Sequence, residues 1–445
     1  MTLRDLPSVD VLARQLNGIP RVVATEVARS SIEEARRLLA DGQPADAGEI
    51  AAIRVRRLAR LKFRSLINAT GVLLHTNLGR APVHPDAVQA AAEATLGYGN
   101  LEFDLDRGER GGRGAYVHEL LMALTGAQAA LVVNNNAAAL LLALATLGRS
   151  HGVVVSRGEL IEIGGSYRLP ELMAASGAEM IEVGTTNRTR IADYAEVAAE
   201  ADLLLKVHPS NYRVVGFTES AASEELVELS RRRDLPYAYD VGSGLVDETS
   251  PWISGPPPNW LAGEPGVRQE ISRGTGLVMF SGDKLFGGPQ AGIMVGANDL
   301  IRRIKSHPMA RAMRVPGPTL AALAVITEMY LDGRALEIPF WTMATVSYEQ
   351  LELRLQGLLD AGIPGTIIES ASLLGAGSVP GMTVASPALH VTAPADRLWD
   401  ELLAAEHPLI GRREAGTFLI DLRSVNPGED ASVAATLRAA VTACR

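Results

Sequence analysis

"AALVVNNNAAALLLALATL", residues 129–147, decides the fold class. A short apolar run stops at three asparagines, and an Ala/Leu-rich helical run follows. The alternation recurs in "GVVVSRG" (152–158) before "PELMAASG" (170–177), then "EMIEVGT" (179–185), "DLLLKVH" (202–208) and "LPYAYDVGSG" (235–244), with helix-like segments among them. Such βαβα texture predicts an α/β fold with a mainly parallel sheet covered by helices. Strands buried on both faces read as continuous apolar runs, as these do. In sheets of this kind the chemistry gathers in loops at the carboxyl ends of the strands.

Three such loops carry chemistry-bearing residues. In "VVNNNAAA", Asn135, Asn136 and Ala137 stand at a strand-to-helix turn, where backbone amides and the helix dipole favour an anion; an Asn-rich helix cap is the plain alternative. In "YAYDVGSG", Asp240 follows an apolar run and precedes Gly242 and Gly244, so it either pairs with a cation on a ligand or caps a loop. In "FSGDKLFGGPQAG" (280–292), the strand-like "GLVMF" leads to Ser281, Asp283 and Lys284 among glycines. A phosphate-binding P-loop does not fit, because no GxxxxGK[ST] is present and the glycines follow the lysine. Taken together, cup, acid and lysine suit pyridoxal phosphate, which needs a Schiff-base lysine, an acid opposite its ring nitrogen and an anion cup.

The remaining chain frames this centre. Its 445 residues predict two or three domains, and 47% apolar against 21% charged residues is the balance of a soluble globular protein. No apolar run reaches 18 residues and the N-terminus lacks an apolar signal region, so a cytoplasmic location is expected. The single cysteine, Cys444, excludes an intrachain disulfide framework, and eight histidines without HxxH or HExxH spacing give no zinc motif. Residues 1–66 read as a helical unit. "SSIEEARRLLADG" (30–42) carries a Ser cap, early Glu and final Gly, and residues 47–64 form a second helical pattern. Residues 67–317 read as the large domain. A linker helix near 318–335 and a small α/β unit then run to 445, with strands in "ALHVTAP" and "GTFLIDLR" and a last helix in "ASVAATLRAAVTA". "SGPPPNW" (254–260) reads as a surface turn.

The net charge of −9 argues against a surface that coats nucleic acid throughout. Residues 1–66 run the other way, with 12 Lys and Arg against 8 Asp and Glu. Arg54, Arg56, Arg57, Arg60, Lys62 and Arg64 fall within eleven residues that hold no acid.

Five long motifs narrow the reading: "INATGVLLHTNLGRAP" (67–82), "GYGNLEFDLDRGERGGR" (97–113), "HPSNYRVVGF" (208–217), "FSGDKLFGGPQAGIMVG" (280–296) and "KSHPMARAMRV" (305–315). Over nearly its whole length the chain resembles the bacterial selenocysteine synthases, the L-seryl-tRNA(Sec) selenium transferases of PLP fold type I. The resemblance implies an aspartate-aminotransferase-like fold, a decamer built of dimers, and an N-terminal domain that grips tRNA. It also implies conversion of seryl-tRNA(Sec) with selenophosphate, by β-elimination to an aminoacrylate and selenium addition. Lys284 matches the Schiff-base lysine and Asp240 the ring-nitrogen partner, and Asp283 beside the lysine either tunes proton transfer or makes a structural hydrogen bond. Arg80, Arg311 and Arg314 match arginines that hold selenophosphate; the last two, three residues apart, share a face if helical. The basic run, with Arg54, Arg57, Arg60 and Lys62, is then a tRNA phosphate contact, or else a solvated or subunit-facing helix. The rival on the same scaffold is a PLP lyase acting on a small amino acid or amino-sugar phosphate.

Overall fold

Seven apolar runs become one sheet. The computed structural model describes residues 3–164, 167–375 and 378–445. The strands are β1 (Ala129–Val133), β2 (Val153–Ser156), β3 (Met180–Val183), β4 (Leu203–Val207), β5 (Tyr237–Gly242), β6 (Leu277–Ser281) and β7 (Gly292–Gly296). Their order is β1-β7-β6-β5-β4-β2-β3, and only β7 runs against the rest. Side chains alternate between two cores. Leu277 and Met279 of β6 enter one, with Leu140 and Leu144 of the helix after β1, while Val278 and Phe280 enter the other. Burial on both faces is why the inner strands read as apolar runs, whereas the edge strand β3 keeps Glu182 exposed. The reversed β7, "GIMVG", is short and bracketed by glycines, so its sequence does not announce a strand.

A second sheet joins β8 (Gly365–Leu373), β9 (Thr383–Val391), β10 (Arg412–Glu414) and β11 (Thr417–Ile420), ordered β8-β9-β11-β10 and antiparallel throughout. The helix Asp430–Ala443 joins the same core, which holds its Val433 and Leu437 with Phe418 and Ile420 of the sheet. The chain divides into two compact units, 1–66 and 67–445. Within the second, packing does not follow a single cut at residue 317. The helix Gly317–Leu331 buries Leu320, Leu323 and Ile326 in the core that holds Val278 and Phe280. Ile67 and Ala69 instead join the core of the second sheet, where Ile67–Asn68 pairs with Leu409–Ile410.

The N-terminal unit holds α1 (Val9–Gln15), α2 (Arg21–Ala40) and α3 (Ala47–Leu61). The helix expected to start at Ser30 starts nine residues earlier, behind Pro20. Ala24, Val27, Ala28, Ser31, Ile32 and Ala35 are buried at helical spacing, so a continuous apolar stripe carries the helix through the serines. "SGPPPNW" is a surface turn only in part. The prolines lie outside, but Trp260 is buried and stacks on Trp341 with ring centroids 6.0 Å apart.

Close approach at the strand ends depends on glycine. A Cβ on Gly292, at the start of β7, would lie 2.1 Å from the Asn135 carbonyl oxygen. Gly292→Ala is expected to cost about 1–3 kcal/mol through overpacking, read as a lower denaturant midpoint; an unchanged midpoint contradicts this packing.

Candidate active site

The carboxyl ends of β1, β5 and β6 bring the expected residues together. After β1, Asn135 caps the helix Asn136–Leu147, its Oδ1 accepting from the Ala138 amide at 2.9 Å. The amides of Asn136 and Ala137 lie in the first turn and have no intrahelical acceptor. The expected three-residue cup therefore reduces to backbone. The Asn135 side chain is spent on the cap, and Asn136 turns elsewhere: its Nδ2 donates to Asp240 Oδ1 at 2.7 Å. Asp240, in β5, is 5% exposed. Burial pushes its carboxyl above the usual range, against the opposing pull of the Asn136 hydrogen bond, the Lys284 charge and the Gly242 amide.

Lys284 lies in the loop after β6 and is 7% exposed. Ser281 closes β6, buried, three residues before it. The loop folds back on itself through Gly288 N–H to Gly282 O (2.8 Å) and Gly287 N–H to Lys284 O (2.9 Å), and Leu285 N–H reaches Ser243 O at 2.9 Å. Gly244, with φ +77°, lets the β5 loop pass: a Cβ there would sit 2.6 Å from Ser281 O. Burial, then the nearby Arg80 charge, lowers the Lys284 ammonium to about 8, while Asp240, Asp283 and Glu264 oppose the shift. No hydrogen bond or ion pair within the described residues engages its Nζ. Asp283, just before it, accepts from Arg80 Nη1 at 2.8 Å. Arg80 holds that position with φ +68°, a backbone conformation that costs a non-glycine residue energy.

The other two arginines part company. The helix Pro308–Ala312 carries Arg311, exposed and without a hydrogen bond or ion pair among the described residues. Arg314 lies beyond that helix and forms an antiparallel bridge with Val133 at the end of β1. The shared helical face expected for the pair is therefore absent. Pro316 follows two residues later and biases the chain before it towards extended backbone. The bridge sets Arg314 beside the first turn after β1, and its Nη1 lies 3.4 Å from Glu102 Oε1. Glu102 also accepts from Arg113 and Arg110, each at 2.9 Å, and these partners hold its carboxyl below the ordinary range, Arg113 foremost.

Single-residue reading missed this clamp, and it missed a second pair. His208 follows β4, its amide donates to Asp240 O at 2.9 Å, and its Nε2 lies 3.2 Å from Glu264 Oε2. Both residues line a cavity of about 480 Å³, with Ser156, Arg213, Tyr239 and Met382. The motif "HPSNYRVVGF" holds His208, but its carboxylate partner lies 56 residues away.

In the N-terminal unit, Arg54 donates to Ser30 and pairs with Glu34 at 2.5 Å, and Lys62 Nζ reaches Gly18 O at 3.0 Å. These two brace the helices. Arg57 and Arg60 are exposed and make no hydrogen bond or ion pair among the described residues.

Residues 66–426 match the family model for L-seryl-tRNA selenium transferase. The chain belongs to that family. It is 42% identical to the L-seryl-tRNA(Sec) selenium transferase of Nitratidesulfovibrio vulgaris, covering 98% of each chain. It is also 42% identical to that of Geotalea daltonii, covering 99% of each. Among solved structures, D-glucosaminate-6-phosphate ammonia-lyase aligns with TM-score 0.61 at 21% identity, over 87% of this chain and 98% of that one, a likeness of fold alone. The architecture is that of PLP-dependent fold type I enzymes. The residues present fit pyridoxal phosphate: a buried amine with no partner among the described residues, a buried carboxylate that forms no ion pair with it, and first-turn amides suited to phosphate. Asn136 Oδ1 and Ser243 Oγ are also buried without a partner among the described residues.

The lowered ammonium has a kinetic consequence. Trapping of an aldehyde on Lys284 in the apoprotein should rise with pH around a midpoint near 8, because the neutral amine is the nucleophile. Arg80→Gln removes a positive neighbour and should move that midpoint upward; a midpoint near an ordinary lysine's in the unaltered protein contradicts the burial argument.

Proposed function

We propose that this chain is a PLP-dependent L-seryl-tRNA(Sec) selenium transferase, converting L-seryl-tRNA(Sec) and selenophosphate into L-selenocysteinyl-tRNA(Sec) and phosphate. The observation that carries the reading is the match to transferases of this name over 98–99% of the chain. The fold likeness to an ammonia-lyase acting on an amino-sugar phosphate does not outweigh it.

Bound at these strand ends, the cofactor supplies an electron sink for charge at the α-carbon of the seryl group. Asp240 offers its carboxylate to the ring nitrogen, and a cation held against it offsets the burial that otherwise favours the neutral acid. The amides of Asn136 and Ala137 take the cofactor phosphate. Lys284, its ammonium lowered to about 8, would hold the cofactor through its amine and, when that amine is free, would take the α-proton of the seryl group. The serine β-hydroxyl leaves and selenium takes its place at the β-carbon. Arg80, steadied by Asp283, and Arg314, steadied by Glu102, present guanidinium groups to the charged oxygens of selenophosphate. Arg311, exposed and without a partner among the described residues, completes that set. Asp283 acts mainly by holding Arg80.

Residues 1–66 form the tRNA-binding unit in this reading, 67–317 the cofactor-binding domain and 318–445 the smaller one. Arg57 and Arg60 are the phosphate contacts, supported by their free guanidinium groups, while Arg54 and Lys62 stabilise the unit. Exposed Leu96, Tyr98 and Leu105 support assembly into a homo-oligomer, dimers within a decamer. Among the described residues no helix is long and apolar enough to cross a membrane.

Incubation with seryl-tRNA(Sec) and labelled selenophosphate should place label in selenocysteine esterified to the tRNA. Unchanged serine, with ammonia released from a small amino-sugar phosphate instead, overturns the reading. Replacing Arg57 and Arg60 with Ala should weaken tRNA binding, reduce the salt slope by about 1 per arginine, and leave the visible cofactor band intact. An unchanged slope removes these two from the interface.

A further inference from the structure

We propose that Asn136 is a positioning residue for Asp240, tying the phosphate end of the site to its ring-nitrogen end. The inference rests on the cofactor reading above. Asn136 opens the helix whose first amides would take the phosphate, yet its side chain leaves that helix to donate to Asp240 Oδ1 at 2.7 Å. The two residues are 104 positions apart. β1 and β5, which they follow and occupy, are separated in the sheet by β7 and β6. One side chain therefore joins two strand ends that no backbone hydrogen bond connects.

The chemistry of the contact selects one state of the acid. An amide N–H donates only to a lone pair, so it favours the ionised carboxylate, and it is the foremost interaction opposing burial at Asp240. It also holds one carboxylate oxygen, Oδ1, in a fixed orientation. The second observation concerns the other end of the amide. Asn136 Oδ1 is buried with no donor among the described residues. Buried acceptors without partners are uncommon in native proteins, and a residue serving only to brace two elements would place no acceptor there. The amide thus engages the acid through its N–H and keeps a buried acceptor for a further donor.

Two variants test this. Asn136→Ala removes the donor, and Asn136→Asp keeps the shape but sets a carboxyl against Asp240. A hydrogen bond to a charged group corresponds to roughly tenfold or more in an equilibrium, or about one pH unit. Both variants should bind pyridoxal phosphate at least about tenfold more weakly and shift the pH midpoint of the visible band by about one unit. In an Asp240→Asn background, where the acid is already gone, Asn136→Ala should shift the midpoint no further. A fall in affinity with an unmoved midpoint would reduce Asn136 to helix and phosphate architecture and overturn the proposal. So would equal shifts with and without Asp240. The wild-type protein serves as the separate control: if it develops no visible band, the cofactor reading fails, and this proposal with it.

Discussion

An amine and a carboxylate are buried together at the carboxyl end of one sheet without being paired. Most of the structure around them follows from that constraint. An ionised group taken from water into a protein interior is costly unless something compensates. Lys284 and Asp240 are 7% and 5% exposed, and each shifts towards its neutral form. A direct ion pair would relieve both. The fold keeps them apart, and a ligand with an aldehyde at one end and a basic ring nitrogen at the other can compensate both at once. Asn136, Lys284, Gly242 and His208 oppose the shift at Asp240, in favour of the charged form that such a ligand needs.

The supporting architecture is arranged to allow this. Gly244 and Gly292 let loops from neighbouring strands approach to distances that no Cβ tolerates. Arg80 accepts a strained backbone to reach Asp283, and so sets a positive charge near the lysine that keeps its amine reactive. Arg314 is fixed by a β-bridge and by Glu102, whose carboxylate gathers three guanidinium groups. Partnered arginines lose less freedom when an anion arrives than solvated ones do, which favours tight and oriented anion binding.

Much of this was legible in the sequence because burial on both faces leaves a plain signature. Each expected large-sheet strand is present. Asp240 and Lys284 stand out because a charge at the end of such a run is costly to bury and adds nothing to the strand's own packing. What was not legible depends on distant partners. Nothing in "VVNNNAAA" says that the Asn136 side chain turns to Asp240, since the contact spans 104 residues. Arg311 and Arg314 looked like one helical face because spacing is blind to where a helix stops, here at Ala312 with Pro316 close behind. The serines at 30 and 31 looked like a cap because cap chemistry is local, whereas the stripe from Ala24 to Ile32 that overrides it is tertiary. The basic run looked uniform, yet Arg54 and Lys62 are tied to their own unit and Arg57 and Arg60 are not.

The central claim is that Lys284 carries the cofactor covalently. Borohydride reduction of the protein loaded with pyridoxal phosphate, followed by digestion and mass analysis, tests it directly. The account predicts a phosphopyridoxyl group on Lys284 alone, lost in Lys284→Ala. Labelling of another lysine with Lys284 unmodified would contradict it.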